Sequence, residues 1–424
     1  MLKSAIKAPP QSLEQWSLKA FVRNEFAAIA EKVESAMSRK IDLNNKPTGE
    51  GVSAKTLLIY GVCLRRLERN QQAYDCFKAL AGRMGDLETE NQLDVLDGLT
   101  ACAIALGDPA AASHYGKQAL EARAQVFQVP PLAWADDWRT LLEQDPVPPP
   151  VLPGVNVISY SLFGHKPVYT EMLVMNLAAA AVLYPRWQVW VYVDHTVPVE
   201  ARARLAAGGA VIKPVTARDQ KLPATTWRFL AMEDPTVDRV LLRDADSYLT
   251  PREVGCVGEW LQAGAAVHAM RDWYTHSELL LAGLFGVRAA GFRRIRDALE
   301  HFAGKAFTPS HADQHFLRRY MWPYAQHSHT VHDSVFHPKG TRPFPSPISP
   351  TLAAHAGNRL SKFMQLDAAD IAQSGSAQLD MMVGDTVMGS YPCEIVDGKS
   401  TVEIPNVIHQ QLAAGVMALR VRAL

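Results

Sequence analysis

From about residue 11 to residue 125, apolar positions recur every three or four residues and β-branched runs are scarce, a pattern that predicts packed helices. The pattern is sharpest over residues 57–80, where Tyr60, Gly61, Leu64 and Leu67 are followed by Asn70, Ala73, Phe77 and Leu80. Two helices joined at Glu68-Arg69-Asn70 would meet at the small residues Gly61 and Ala73, with the larger side chains filling the space around them. A looser second copy covers residues 96–120, with Gly107-Asp108-Pro109 at the turn and Ala112 and Tyr115 in its second helix.

The run at 144–154, QDPVPPPVLPG, is rich in proline, stiff and extended, and it marks the clearest boundary in the chain. Beyond it, apolar stretches of strand length alternate with helical ones. Strands are expected at 155–159, 187–193, 210–213, 239–242 and 265–270, and helices at 169–183, 201–207, 223–232, 251–261 and 292–302. A long apolar run at 279–287 is broken by Gly283 and Gly286, and glycines inside such a run mark close approach of a backbone or ligand. From about 350 the pattern reads as a helical region, then as a short hairpin over 391–404 around Asp397-Gly398. The expected organisation is an all-α domain over 1–143, a linker over 144–154, an α/β domain over 155–350 and an α+β extension over 351–424. Strand–helix alternation with apolar strands predicts a mostly parallel sheet covered on both faces, with ligands bound beyond the carboxyl ends of its strands.

Composition narrows the function classes. The 424 residues, 48% apolar and 20% charged, suit a globular chain with more than one core. Basic and acidic residues balance at 43 each, which argues against bulk binding of nucleic acid. Cys63, Cys76, Cys102, Cys256 and Cys393 are dispersed without a CxxC pair, as expected in a reducing compartment. No secretion signal is read at the N-terminus, and the longest apolar stretch, 172–183, is too short for a transmembrane segment. The expected location is cytoplasmic, with a peripheral contact at the inner face of a membrane left open.

The chemistry concentrates at the end of the strand 239–242. It stops at Arg243-Asp244-Ala245-Asp246, where two carboxylates one residue apart project to the same side of an extended chain. Paired hard oxygen ligands at a strand end suit Mg²⁺ or Mn²⁺ bridging to phosphate oxygens. Asp272 follows the next strand, where it would bind a sugar hydroxyl or cap a loop. Asp313-Gln314 opens a helix, where Asp also serves as a cap. Further on, His327, His329, His332, Asp333 and His337 precede Lys339-Gly340-Thr341-Arg342-Pro343-Phe344. The first four are legitimate zinc ligands, although their spacing matches no closed structural zinc motif. Trp227, Trp273 and Trp322 would stack on sugar rings or pack the core.

In order, these motifs resemble a nucleotide-sugar glycosyltransferase of the GT-A fold, most closely glycosyltransferase family 8, the group of glycogenin and bacterial lipooligosaccharide galactosyltransferases. The likeness covers about 155–345. It implies a Rossmann-like sheet, a Mn²⁺ or Mg²⁺ cofactor, and transfer from a nucleotide sugar, UDP-linked by preference, with retention of configuration. It assigns Asp244, Asp246 and His337 to the metal, and Lys339 and Arg342 to the donor diphosphate. It places Gln314 near the anomeric carbon, Asp313 on a sugar hydroxyl, Arg228 on the donor and Gly283 beside the sugar. The segment Ser159-Tyr160-Ser161-Leu162-Phe163-Gly164 lacks the family's usual nucleotide signature, and the uridine contacts expected in this region are Tyr160 and Asp194. The N-terminal hairpins resemble tetratricopeptide repeats, with Gly61, Ala73 and Phe77 at the small, small and aromatic positions, implying a docking module for a protein partner or, failing that, a plain helical domain.

The acceptor stays open between a glycan, a lipid-linked glycan and a protein. Two other classes stand beside the transferase: a metal-dependent nucleotidyltransferase, and a non-catalytic helical scaffold carrying a degenerate transferase domain. The nucleotidyltransferase would need more acidic ligands or a phosphate-cradling glycine loop, and neither is evident.

Overall fold

A computed structural model describes residues 12–38, 52–129, 154–304 and 311–423. The proline-rich stretch lies outside these residues except for Gly154. The chain divides into two compact units, one of residues 1–126 with Tyr274–Glu278, the other of the remainder.

The first unit is helical: α1 (Leu13–Val22), α2 (Phe26–Ser38), α3 (Ala54–Arg66), α4 (Asn70–Ala81), α5 (Thr89–Ala105) and α6 (Pro109–Val126). Ser12 and Ser53 cap α1 and α3 by accepting from the backbone N–H groups of Gln15 and Thr56. The fully buried Phe77 ring of α4 organises the core. It sits against Gly61 of α3 and Gly98 of α5, where an added Cβ would come within 2.9 and 2.5 Å of the ring. The turn glycine Gly107 takes φ +81° after α5, and Asp108 then caps α6 through Ala111 N–H. Residues Tyr274–Glu278 belong to this unit although they lie far along the chain. Arg123, wholly buried, pairs with Asp97 and Glu278 and donates to the Ser277 carbonyl at 2.8 Å.

The second unit opens with β1 (Val155–Leu162), α7 (Pro167–Leu183), β2 (Trp187–Val193), α8 (Val199–Ala207), β3 (Val211–Pro214) and β4 (Val237–Arg243). It continues with α9 (Pro251–Ala263), β5 (Val267–Arg271), β6 (Leu284–Arg288), α10 (Ile295–Ala303), α11 (Ala312–Phe316), α12 (Trp322–Ala325) and β7 (His329–Asp333). These strands form one mixed, mostly parallel sheet in the order β3-β2-β1-β4-β6-β5-β7, in which β6 is antiparallel to both neighbours. Its central strands are buried along almost their whole length, as expected for a sheet covered on both faces.

Three local expectations change. Ala224–Glu233 winds as 3₁₀ turns rather than an α-helix, following Pro223, whose carbonyl takes the Thr226 N–H. In the apolar run 279–287 only Leu284–Arg288 is strand, because Leu280 and Ala282 spend backbone groups on the Gln314 side chain instead of a ladder. The region beyond 350 is largely β rather than helical. It contains β8 (Ser361–Asp367), β9 (Gly375–Val383), β10 (Thr386–Ile395), β11 (Lys399–Pro405), α13 (Asn406–Ala413) and β12 (Ala418–Ala423). Asp397 and Gly398 do turn the chain with positive φ, closed by an antiparallel Val396–Lys399 bridge, but beyond it β10 pairs with β9 and β11 with β8 rather than with each other. This β region packs a core of Leu379, Met381, Tyr391, Val402, Ile404 and Ile408 against Met175 of α7. Among the described residues no helix is long and apolar enough to cross a membrane.

Candidate active site

The carboxyl end of β4 delivers Arg243 inward and Asp244 outward. Arg243 is buried, pairing with the fully buried Glu253 and donating to the Phe285 carbonyl. Glu253 is also the third helical residue of a capping box with Thr250, so one carboxylate fixes both β4 and the start of α9. From the other side, the buried Asn176 of α7 donates to the Ser247 carbonyl and accepts from Leu249 N–H. The Asp244–Leu249 loop is therefore held at both flanks by side chains that are themselves buried.

Asp244 remains about half exposed. One of its oxygens accepts from Arg228 at 2.5 Å, and the same buried guanidinium donates to Asp313 at 2.6 Å and to the Arg243 carbonyl. Its other oxygen lies against Gly283, where a Cβ would overlap the carboxylate. Gln314, next to Asp313, donates from its amide nitrogen to Leu280 O at 2.6 Å and accepts from Ala282 N–H at 3.0 Å. The contacts close a ring: Arg228 joins Asp244 to Asp313, Gln314 holds the 280–282 backbone, and that backbone brings Gly283 to Asp244. Burial pushes the Asp313 carboxyl up.

Asp246 is less exposed and pairs with Arg359 at 3.0 Å. Burial, and then the charge of Asp244, push its pKa up to about 6. Arg359 also grips Glu403, at 2.7 Å to each carboxylate oxygen.

The remaining predicted residues are placed differently. His337, Lys339 and Arg342 are exposed in the segment after β7, with His337 at φ +47° and Arg342 3.7 Å from Glu259. Among the described residues no three His, Cys, Asp or Glu side chains converge to hold a metal, so His337 does not complete a set with Asp244 and Asp246. The same holds for the zinc alternative, because Asp333 is committed to Arg271 and to the N–H groups of Val335, Phe336 and His337. His332 lies between His268 and Glu259, 3.0 Å from each. Tyr160 is fully buried in the sheet core beside Leu173, Val191 and Leu241, which removes it from any uridine surface. Asp272 is likewise wholly buried, both oxygens taking donors from Arg252, Ser334 and the Ala356 N–H, so it is a node of the fold. Asp194 shapes the loop after β2 by accepting from Thr196. Trp227 and Trp322 are buried, and the partly exposed Trp273 stacks on His355.

Asn176, Glu253 and Arg359 are absent from the sequence-derived set. Thr250-x-x-Glu253 was readable as a capping box, whereas nothing local to Asn176 or Arg359 announces a partner more than seventy residues away.

No family model and no curated protein matches the chain. Solved structures overlap it in part. One is a glycosyltransferase involved in the glycosylation of the major capsid of PBCV-1, at 14% identity over 43% of this chain and 82% of that one, with a TM-score of 0.29. Another is glucosyl-3-phosphoglycerate synthase from Mycobacterium tuberculosis in complex with Mn²⁺, UDP and phosphoglyceric acid, at 16% identity over 32% of this chain and 56% of that one, with a TM-score of 0.24. A third is a mycobacterial protein at 15% identity, covering 32% of this chain and 53% of that one, with a TM-score of 0.24. The chain thus spans little more than half the length of two of these proteins, and overlaps so partial carry no argument about substrate.

Proposed function

We propose that the α/β unit is a metal-dependent glycosyltransferase that moves a sugar from a nucleotide-sugar donor to a glycan, lipid-linked or protein acceptor. The observation that carries this reading is the presentation of Asp244. It is half exposed at a strand's carboxyl end, with one oxygen tied to buried Arg228, the other fitted against Gly283, and Asp246 two residues on.

The charges around the pair support a divalent cation. Asp244, Asp313, Asp246 and Glu403 supply four carboxylates against the guanidiniums of Arg228 and Arg359, a deficit of two positive charges when all are ionised. Two carboxylates, with phosphate and water oxygens completing the shell, suit Mg²⁺ or Mn²⁺. Asp244 and Asp246 would hold the ion, which when bound would neutralise charge developing on the departing diphosphate.

In this reading Arg228 keeps Asp244 aimed, and Gln314 acts through the 280–283 backbone. Asp313 faces the same guanidinium and would hold a hydroxyl of the donor sugar. Lys339 and Arg342 would meet the diphosphate, and His337 is the candidate third ligand to the metal. A UDP-linked donor, retention of configuration, a protein partner docked on the helical unit and a cytoplasmic location belong to the same proposal.

The experiment is a thermal-shift and hydrolysis screen against UDP-, GDP- and CMP-sugars with and without Mn²⁺. Stabilisation that needs both one donor and the metal, and is lost in Asp246→Asn, is the expected result. Indifference to every donor would sink the reading and leave the non-catalytic scaffold in its place.

A further inference from the structure

Residues 356–359 are fastened across the candidate site one after another. Ala356 N–H donates to Asp272 at 2.8 Å. Gly357, at φ +75°, lies against Leu284 of β6, where a Cβ would come within 2.7 Å. The Asn358 carbonyl accepts from Tyr248 N–H, inside the loop that carries both aspartates. Arg359 then reaches Asp246 at 3.0 Å with one nitrogen and Glu403 at 2.7 Å with the other. Glu403 is mostly buried and is held in turn by Ser361 Oγ at 2.6 Å, so the guanidinium is anchored on its far side. It is still nearly half exposed, which leaves donors to offer an incoming anion.

We propose that Arg359 is a diphosphate-binding residue whose pairing with Asp246 couples metal binding to nucleotide binding. This inference rests on the transferase reading above. In the free protein both aspartates already have a guanidinium, Arg228 on Asp244 and Arg359 on Asp246. A divalent ion arriving alone must displace or share Arg359. A diphosphate gives that guanidinium a second anion, in the bidentate geometry arginine favours, and releases Asp246 for the cation. The coupling is reciprocal, because whatever factor the nucleotide contributes to metal affinity the metal contributes to nucleotide affinity.

The test is direct binding without turnover, on the full chain. Mn²⁺ affinity is measured by titration calorimetry or by the paramagnetic signal of free Mn²⁺, with and without UDP, with GDP in a parallel arm. The wild-type chain is expected to bind Mn²⁺ at least about fivefold more tightly with the nucleotide present, the low end of typical couplings. In Arg359→Gln, Mn²⁺ alone binds more tightly than to wild type, UDP binds more weakly, and the coupling collapses toward one. Arg359→Lys keeps the charge and loses the fork, so Mn²⁺ alone stays weak while UDP affinity still falls. Both variants are checked for an unchanged melting profile, since Glu403 retains Ser361. Equal coupling in wild type and Arg359→Gln overturns the role of Arg359 and leaves the transferase reading standing. No Mn²⁺-dependent binding of either nucleotide to wild type overturns both.

Discussion

Replacing Gly283 by alanine separates folding from function at this site. The added Cβ would overlap one Asp244 oxygen, with the carboxylate carbon 2.5 Å and the second oxygen 3.2 Å away, all below normal contact. Gly283 is not among the glycines with positive φ, so alanine suits its backbone. The clash therefore falls on the end of one side chain that is 45% exposed and can rotate away. Overpacking a rigid core costs about 1–3 kcal/mol, but here the neighbour yields, and less chain entropy is lost on folding. The net change in stability should stay within about 1 kcal/mol. The functional cost is larger, because Asp244 can rotate only by leaving the guanidinium of Arg228 at 2.5 Å. A displacement of about 1 Å in a positioned group lowers rates by about 10²-fold. Metal-dependent donor hydrolysis should thus fall by that order, with the apo melting temperature nearly unchanged. Wild-type kcat/KM in Gly283→Ala would refute the claim that this fit sets the position of Asp244.

Other perturbations test the frame around the site. Glu253→Ala strands buried Arg243 without its counter-ion and removes the α9 capping box, so urea denaturation should show a loss of about 3–5 kcal/mol. A loss below about 1 kcal/mol would deny the pair that role. In the helical unit, Gly98→Ala drives a Cβ to 2.5 Å from the Phe77 ring, and overpacking of about 1–3 kcal/mol should outweigh the helix-propensity gain. Stabilisation by Gly98→Ala would contradict that packing. Burial opposes ionisation of Asp380, but Ser390, Arg422 and Arg420 outweigh it and hold its pKa below the usual carboxylate range. A depressed folded pKa contributes stability above the unfolded value of about 4 and loses it as pH falls further. Asp380→Asn should therefore narrow the drop in melting temperature between neutral pH and about pH 3, and an unchanged drop would assign the acid sensitivity elsewhere.

The sheet was legible because its strands are short apolar runs with punctuated ends. The boundaries of β2 agree with the sequence pattern to the residue, and those of β4 and α7 within two. The Asp pair was legible for the same reason, since strand end and i, i+2 spacing are local. A glycine inside an apolar run marks a close approach, and at Gly283 the structure supplies the partner, the Asp244 carboxylate. The family likeness puts Gln314 near the anomeric carbon, whereas the hold of its amide on the 280–282 backbone depends on how two distant segments meet. Tyr160 and Asp272 look chemical in one dimension because each ends or follows a strand. Only burial reveals one as core and the other as a clamp between Arg252, Ser334 and Ala356. Beyond residue 350, β8 and β12 are edge strands without a fully buried residue, so little in the local pattern contradicts a helical reading there.

The membership of Tyr274–Glu278 in the helical unit has a consequence for dissecting the chain. A single cut in the proline-rich stretch does not produce two self-sufficient pieces. The N-terminal fragment would keep Arg123 and Asp97 but lose Glu278 and the Ser277 carbonyl, two of the three partners named for a wholly buried cation. The C-terminal fragment would carry those five residues as a loop whose host is missing, five positions ahead of Gly283. Fragment complementation is thus the expected behaviour: the halves are each marginal alone, and order returns to the 277–283 segment when they are mixed.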